Sequence, residues 1–211
     1  MTAVRLLALL AVALAAAAAD APRIFYSKTF PRSSPAYVEI LVQKDGSVEY
    51  REDPADENPF KFQLTGKECA DIFGLADQLG RFTRPLDANL KVAFTGTKLF
   101  RWEQGAEKHE VKFNYSQEPA AQQLWDAFER ITESEQRLAI LERAVKFDKL
   151  GVNDALLQLE AARDRNRLVG AAQFLPLLDR IIKNESLLHM ARDRAANLAD
   201  WIRNPKPVVA R

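Results

Sequence analysis

The longest regular pattern of apolar residues lies in the middle of the chain, over residues 116–147. The apolar positions in this stretch recur at steps of three, four or seven, which is the spacing of one helix face. They are Leu124, Phe128, Ile131, Leu138, Leu141 and Val145. Ser116 and Pro119 stand at its entrance, where a side-chain oxygen can accept an early N–H and a proline loses no internal hydrogen bond. The pattern predicts one long helix that joins a strand-rich half of the chain to a helical half.

Residues before this helix alternate in the manner of strands with one buried face. The alternation predicts seven strands, over residues 24–30, 36–43, 47–51, 60–64, 90–94, 98–104 and 108–115. After the fourth strand, Thr65 and Glu68 have the spacing of a capping box, and an apolar stripe predicts a helix that ends at Gly80. Because short loops join the strands, we expect an antiparallel or mixed sheet of about six to seven strands in an α+β fold.

Three shorter helices are predicted after the long one. Asn153 can cap the first of them, and Pro176 falls in the first turn of the second. The three helices are expected to reach residues 165, 182 and 203. The predicted organisation is therefore an α+β sheet domain over residues 22–116, followed by a small all-α helical domain over residues 117–205.

Two stretches resemble known families. The alternating strand before the turn at Asp45 and Gly46, with the next strand and the capped helix, resembles secreted bacterial domains of unknown function, a resemblance that implies no activity. The last helical pair resembles a HEAT-type repeat in its apolar and small positions. These are Leu175, Leu178, Ile181 and Ile182, then Ala191, Arg192, Ala195, Ala196 and Ile202. Only one copy is present, and stacks need at least three, so we expect a small bundle; the resemblance implies a surface that binds another protein.

The first 19 residues are typical of a secretory signal peptide. Arg5 is followed by 14 apolar residues, 6–19, that end in small side chains. As a helix this run would span about 21 Å, short of the roughly 30 Å of bilayer hydrocarbon, so we expect cleavage and no membrane insertion afterwards. Cys69 is the only cysteine, which excludes an intramolecular disulfide and favours a bacterial periplasmic or secreted protein.

Charge is balanced along the chain, which at 47% hydrophobic residues is of ordinary globular composition. The full chain has 30 basic and 29 acidic residues, and loss of Arg5 with the signal peptide would leave 29 of each. Neither half has the charge excess that nucleic acid or an anionic membrane would select. We therefore expect no nucleic-acid partner; the sequence does not indicate an oligomeric state.

Familiar catalytic and metal-binding motifs are absent from the sequence. Two histidines and one cysteine cannot form a His/Cys metal cluster, and no zinc-protease, nucleophile-elbow or phosphate-loop motif occurs. The acidic linker at residues 53–58 has oxygen ligands for calcium but lacks the spacing of an EF-hand, so a solvated loop is the simpler interpretation. We predict no catalytic residue, no metal and no cofactor.

The predicted function is that of an exported soluble, non-catalytic binding or scaffolding protein of the bacterial envelope. Its candidate binding surface consists of large aromatic residues that could instead pack in the core: Tyr37, Phe100, Trp102 and Trp125. The alternative is a hydrolase or transferase that acts on envelope material through the carboxylates of Glu103, Glu107 and Glu110. A third possibility is an inhibitor that presents the proline-bounded loop at residues 31–35. Acidic side chains that converge in a deep pocket would favour the enzyme, and a shallow groove would favour binding.

Overall fold

The computed structural model describes residues 21–205, and the predicted signal peptide lies outside the described residues. Within residues 21–205 the chain forms six strands and five α-helices, so the predicted α+β class is confirmed. The strands are β1 (Arg23–Thr29), β2 (Tyr37–Gln43), β3 (Ser47–Arg51), β4 (Phe60–Gln63), β5 (Thr97–Gln104) and β6 (Glu107–Phe113). The helices are α1 (Gly66–Gln78), α2 (Pro119–Phe147), α3 (Gly151–Asp164), α4 (Leu175–Ile182) and α5 (His189–Arg203).

The strands form one antiparallel sheet in the order β4-β3-β2-β1-β5-β6. Tyr26 on β1 lies at its centre, opposite Ile40 on one side and Phe100 on the other. Because side chains alternate between the two faces, these three residues share one face with the other even-numbered residues of β1, β2, β3 and β5, and most of these side chains are buried. The sheet core includes Ile24, Val38, Val42, Val48, Tyr50 and Trp102.

Helix α1 supplies side chains to this core. Its N-terminus has the predicted capping box, in which Thr65 accepts the N–H of Glu68 and the Glu68 side chain accepts the N–H of Thr65. Cys69 and Phe73 are buried on its apolar stripe, and the Phe73 ring meets Trp102 edge to face with 5.8 Å between centroids. Cys69 is therefore a small residue of this core.

Residues 90–94, predicted as a strand, do not join the sheet, and that prediction was wrong. The backbone turns at Asn89, which has a positive φ of 52°. The N–H of Val92 then donates to the carbonyl of Leu90 at 2.9 Å, and the side chain of Asn114 donates to the Ala93 carbonyl and accepts the N–H of Thr95. Because these backbone groups already have hydrogen-bond partners, they do not need those of a neighbouring strand.

The predicted long helix is confirmed as α2, which is continuous over Pro119–Phe147. The chain divides into two compact units, and the boundary between them falls after Asp126, inside α2. The boundary predicted from the sequence, after residue 116, lies on the N-terminal side of this point. Among the described residues, no helix combines the length and the apolar character that crossing a bilayer requires.

The helical unit has its own core, which the apolar faces of its helices form. Members of this core include Leu141, Val152, Leu156, Phe174, Leu178, Ile181, Leu198 and Ala199. Pro176 lies in the first turn of α4, as predicted. Asn153 does not cap α3, contrary to prediction: the helix starts two residues earlier, its first N–H bonds Asp148, and the Asn153 side chain accepts a hydrogen bond from Arg194 at 3.1 Å.

Candidate functional site

One face of the six-stranded sheet is not buried, and we call it the open face. It consists of the strand side chains that alternate with the buried set, and each of them is partly or fully exposed. Those used below are Arg23, Phe25, Tyr37, Glu39, Leu41, Glu49, Arg51, Lys61, Arg101, Glu103, Lys108, Glu110 and Lys112. The open face presents aromatic and charged side chains to solvent on neighbouring strands.

An apolar centre lies in the middle of the open face. Leu41 pairs with Phe25 across β1 and β2, and Phe25 pairs with Arg101 across β1 and β5. The Arg101 guanidinium carbon lies 3.9 Å from the centroid of the Phe25 ring, so the cation stacks on the aromatic face. Carboxylates end this row on both sides, with Glu49 beside Leu41 and Glu110 beside Arg101.

Glu103 is the most strongly paired carboxylate of the open face. The Nε of Arg23 lies 2.6 Å from one of its oxygens, and the Nε of Arg101 lies 2.8 Å from the other. Lys108 is a third neighbour at 3.9 Å. Partial burial alone would raise the pKa of Glu103, but the three cations outweigh it and hold that pKa below its usual value. Glu103 is therefore ionised near neutral pH and is not suited to donate a proton.

A second charge cluster lies on β2 and β3. Arg51 Nε approaches a Glu39 oxygen at 3.3 Å, and the Tyr37 hydroxyl donates to the other Glu39 oxygen at 2.6 Å. Burial, and then the hydrogen bond to Glu39, raise the pKa of Tyr37 far above its usual value. Tyr37 thus stays neutral and acts as a hydrogen-bond donor, and it does not serve as a base.

Two shallow depressions share Arg23 and Glu103. The first, about 180 Å³, lies on the open face over Phe25 and Leu41. It is smaller than the cavities that usually enclose small ligands. The second, about 500 Å³, follows the β5–β6 turn and brings Glu103 and Glu107 to one place.

Of the three carboxylates considered for an enzyme, Glu103 and Glu110 lie on the open face, both near Arg101 at 2.8 and 3.6 Å. Glu107 is exposed at the β5–β6 turn, with an oxygen 3.5 Å from Nδ1 of His109. Two of the three carboxylates are therefore held by the same guanidinium group.

The four aromatic residues of the predicted binding surface do not lie together. Tyr37 is on the open face, whereas Phe100 and Trp102 are on the buried face with at most 2% of their surface exposed. Trp125 is half-buried in α2, and the Lys98 ammonium lies 4.2 Å from the centroid of its ring. Side chains alternate along β5, so Phe100 and Trp102 lie on the opposite face of the sheet from Arg101 and its partner Phe25. Alternation along the strand therefore separates these residues, whereas their aromatic character does not.

The loop at residues 31–35 and the acidic linker are held by their own hydrogen bonds. Ser33 donates to the Phe30 carbonyl at 2.9 Å, while Asp53 and Asp56 each accept a backbone N–H two residues ahead. Across residues 21–205, no group of three or more histidine, cysteine or acidic side chains is placed to hold a metal ion.

Sequence reasoning missed a polar cluster in the helical unit. Three consecutive residues of α2 contact the segment between α3 and α4: Glu133 pairs with Arg167 at 2.8 Å, Ser134 accepts the Val169 N–H at 3.0 Å, and Glu135 accepts from Gln173 at 2.8 Å. Glu135 is only 6% exposed, and this burial raises its pKa to about 7. The cluster fixes the connection between two helices, and no sequence motif marks it.

No protein-family model matches the chain, and no curated protein matches it.

Proposed function

We propose that this protein is an exported, non-catalytic binding module of the bacterial envelope, and that the open face binds another protein. The export part of the proposal rests on the apolar segment at residues 6–19 and on the lone Cys69. The observation that carries the binding part is the arrangement of the open face, where Arg101 stacks on Phe25 beside Leu41 and charged groups surround them. A desolvated centre within a polar rim is the usual organisation of a protein interface.

The residue types at this centre favour protein binding. Arginine and aromatic side chains carry a large share of the binding energy at protein interfaces. Phe25 and Leu41 are held by the sheet, and Arg101 is held by Phe25 and Glu103, so a partner would order few side chains that are free in the unbound state. Preorganisation of this kind lowers the entropy lost on association.

The charges of the open face indicate the character of the partner. The face has six basic and four acidic side chains, an excess of two positive charges. The basic ones are Arg23, Arg51, Lys61, Arg101, Lys108 and Lys112, and the acidic ones are Glu39, Glu49, Glu103 and Glu110. A protein with an apolar centre and a moderately acidic rim is complementary to this pattern.

The alternative function, a hydrolase or transferase that uses carboxylates, has weaker support. The second depression brings Glu103 and Glu107 together, but Glu103 is neutralised by Arg23 and Arg101. Turnover of envelope material by the purified chain, with loss of that turnover in Glu103→Gln, would support the enzyme in place of the binding module.

The test is site-specific photocrosslinking in a bacterial periplasm. A photoreactive amino acid replaces Leu41 on the open face or, as the control, Gln78 at the end of α1 on the other side of the sheet. We expect a discrete protein adduct at position 41 that is absent at position 78. The adduct is identified by mass spectrometry, and the partner is then purified.

Binding of the purified partner is measured with wild type, Arg101→Ala and the control Lys112→Ala, after their folding has been compared by circular dichroism. We expect Arg101→Ala to raise Kd by about tenfold or more, because Arg101 lies at the centre of the proposed interface. Lys112→Ala should change Kd by less than about threefold, because charges at the rim of an interface contribute little to affinity. Equal crosslinking at positions 41 and 78, or equal Kd values for the two variants, would overturn the assignment of the open face.

A further inference from the structure

A second surface of the sheet unit has a different character, and we call residues 90–95 the apolar loop. All six of its residues are exposed. Among them Leu90, Val92 and Phe94 are large apolar side chains with 48%, 44% and 57% of their surface exposed. Scattered apolar residues on a surface need no explanation, but three of them within five consecutive residues form a patch that does.

The apolar loop is held in place by the rest of the unit. Just before it, the Ala88 N–H donates to the Tyr115 carbonyl at 2.8 Å. At its end, the side chain of Asn114 accepts the Thr95 N–H at 3.0 Å and donates to the Ala93 carbonyl at 3.3 Å. These bonds present the apolar side chains on a fixed support, which lowers the entropy that binding would otherwise lose.

The backbone of the apolar loop is unsuited to pairing with a strand of another protein. The Val92 N–H and the Leu90 carbonyl bond to each other, and Asn114 engages the groups of Ala93 and Thr95. Strand addition needs a row of unpaired backbone groups, so it would require these bonds to break. Because all six consecutive residues are exposed, side chains on both sides of the loop backbone face solvent. Such a loop can enter a lipid layer, which would surround it.

Positive charge accompanies the apolar loop. Within residues 90–95 the one charged residue is Lys91, which is exposed and lies between Leu90 and Val92. The adjoining loop at residues 30–36 adds exposed Arg32, again with no acidic residue. The two loops meet where the ring of Phe94 packs edge to face on Phe30, with 5.9 Å between centroids. The balanced charge of the whole sheet unit conceals this local excess.

We propose that the apolar loop attaches this protein to an anionic phospholipid surface. Leu90, Val92 and Phe94 enter the interfacial region of the bilayer, while Lys91 and Arg32 lie among the phosphate groups. The attachment is peripheral and reversible, because three side chains and two cations are far less than a spanning helix provides. This proposal is independent of the open face and of the partner that the open face binds.

The sheet also offers a matched control for this proposal. Phe60 on β4 is 58% exposed, close to the 57% of Phe94. It directly follows the acidic linker at residues 53–59 and precedes Lys61, so the charges beside it along the chain are net negative. If exposure of an apolar ring alone were enough, Phe60 and Phe94 would contribute equally; if the local positive charge matters, only Phe94 contributes.

The experiment is sedimentation of the full mature chain with vesicles of phosphatidylglycerol and phosphatidylethanolamine, compared with vesicles of phosphatidylcholine. We expect binding to the anionic vesicles that weakens with salt, falls by about fivefold or more in Phe94→Ser and Lys91→Glu, and is unchanged in Phe60→Ser. A second readout uses Phe94→Trp, whose added emission should shift to the blue and be quenched by brominated lipid tails when anionic vesicles are present.

Several outcomes would overturn the proposal. They are no sedimentation of the wild type with anionic vesicles, equal losses in Phe60→Ser and Phe94→Ser, and a Phe94→Trp emission that vesicles do not change. A Phe94→Trp emission that shifts with lipid-free envelope proteins and not with vesicles would assign the apolar loop to a protein partner. Circular dichroism of each variant shows whether a loss of binding reflects a loss of fold.

Discussion

The guanidinium group of Arg101 stacks on the ring of Phe25, its central carbon 3.9 Å from the ring centroid, on neighbouring strands of the open face. The same guanidinium pairs with Glu103 at 2.8 Å, and its side chain is 21% exposed. One residue therefore joins the apolar centre of the open face to its charged rim. This contact makes Arg101 important for stability as well as for the proposed binding.

We predict that Arg101→Ala lowers the free energy of unfolding by about 1–2 kcal/mol, because it removes a partly desolvated cation–π contact and a partner of Glu103. Arg101→Lys should lower the free energy of unfolding by about half as much. The lysine ammonium keeps the positive charge but lacks the planar group that stacks on Phe25. Urea denaturation followed by circular dichroism measures both values. Lys108→Ala is the control: its side chain is 59% exposed and lies 3.9 Å from Glu103, and a change above about 0.5 kcal/mol would contradict this account.

Lys98 is a second residue whose charge the fold depends on. It is fully buried, and its ammonium group donates to the Asn114 carbonyl at 2.8 Å and to the Thr95 hydroxyl at 3.0 Å, with the ring of Trp125 nearby. We expect Lys98→Met to lower the free energy of unfolding by about 2–4 kcal/mol, because buried acceptors lose their donor. Lys112→Met, whose side chain is 65% exposed, should change it by less than about 0.5 kcal/mol. Comparable losses in the two variants would show that the buried contacts of Lys98 are not what stabilises the unit.

Gly96 and Gly74 give opposite predictions for one substitution. Gly96 has a φ of +100°, and a Cβ there would lie 2.8 Å from the Phe30 Cβ, so Gly96→Ala should destabilise the protein by about 2 kcal/mol or more. Gly74 lies inside α1 with nothing within 4 Å of its added Cβ, so Gly74→Ala should stabilise by roughly 0.5–1 kcal/mol. Thermal unfolding of the two variants measures the difference in sign. A stabilising effect of Gly96→Ala would refute the tight packing of the residue 96 turn against Phe30.

Local features of the fold could be predicted from the sequence because they depend on neighbouring residues. The capping pair Thr65 and Glu68, the proline in the first turn of α4 and the long helix all follow from spacings of a few residues. Residues 90–94 show the limit of this approach. Their alternation is that of a strand, but the side chain of Asn114, distant in the sequence, holds their backbone outside the sheet.

The candidate site depends on contacts that no spacing reveals. Alternation along β5 places Arg101 and Phe100 on opposite faces, but only the pairing of β1 with β5 brings Arg101 to Phe25. The four aromatic residues proposed from the sequence were chosen by size, and size does not distinguish Tyr37 on the open face from Trp102 in the core. Arg101 is a better indicator of the open face than the aromatic residues are. A charged side chain that is partly buried on a strand needs a partner, here Phe25 and Glu103.

Glu135 in the helical unit makes stability depend on pH. Its folded pKa of about 7 lies above the value near 4.3 of an unfolded glutamate, because burial disfavours the charged form. Between these two values the folded chain holds a proton that the unfolded chain has released, so the free energy of unfolding falls as pH rises from about 4.3 to about 7. The contribution is fully present below the lower value and is lost above the upper one, and it amounts to about 4 kcal/mol.

We therefore predict that Glu135→Gln removes this decline and raises the free energy of unfolding at pH 8 relative to the wild type, while a neutral amide oxygen can still accept the hydrogen bond from Gln173. Urea denaturation at pH 5, 6, 7 and 8 provides the measurement. Glu142→Gln is the control, because Glu142 is exposed and only adds a repulsive charge to Glu135, so most of the decline should remain in that variant. If Glu135→Gln and the wild type lost stability in parallel over this range, the Glu135 carboxyl would not be the group that titrates. The charge of Glu135 would then not affect the contact of α2 with the segment before α4.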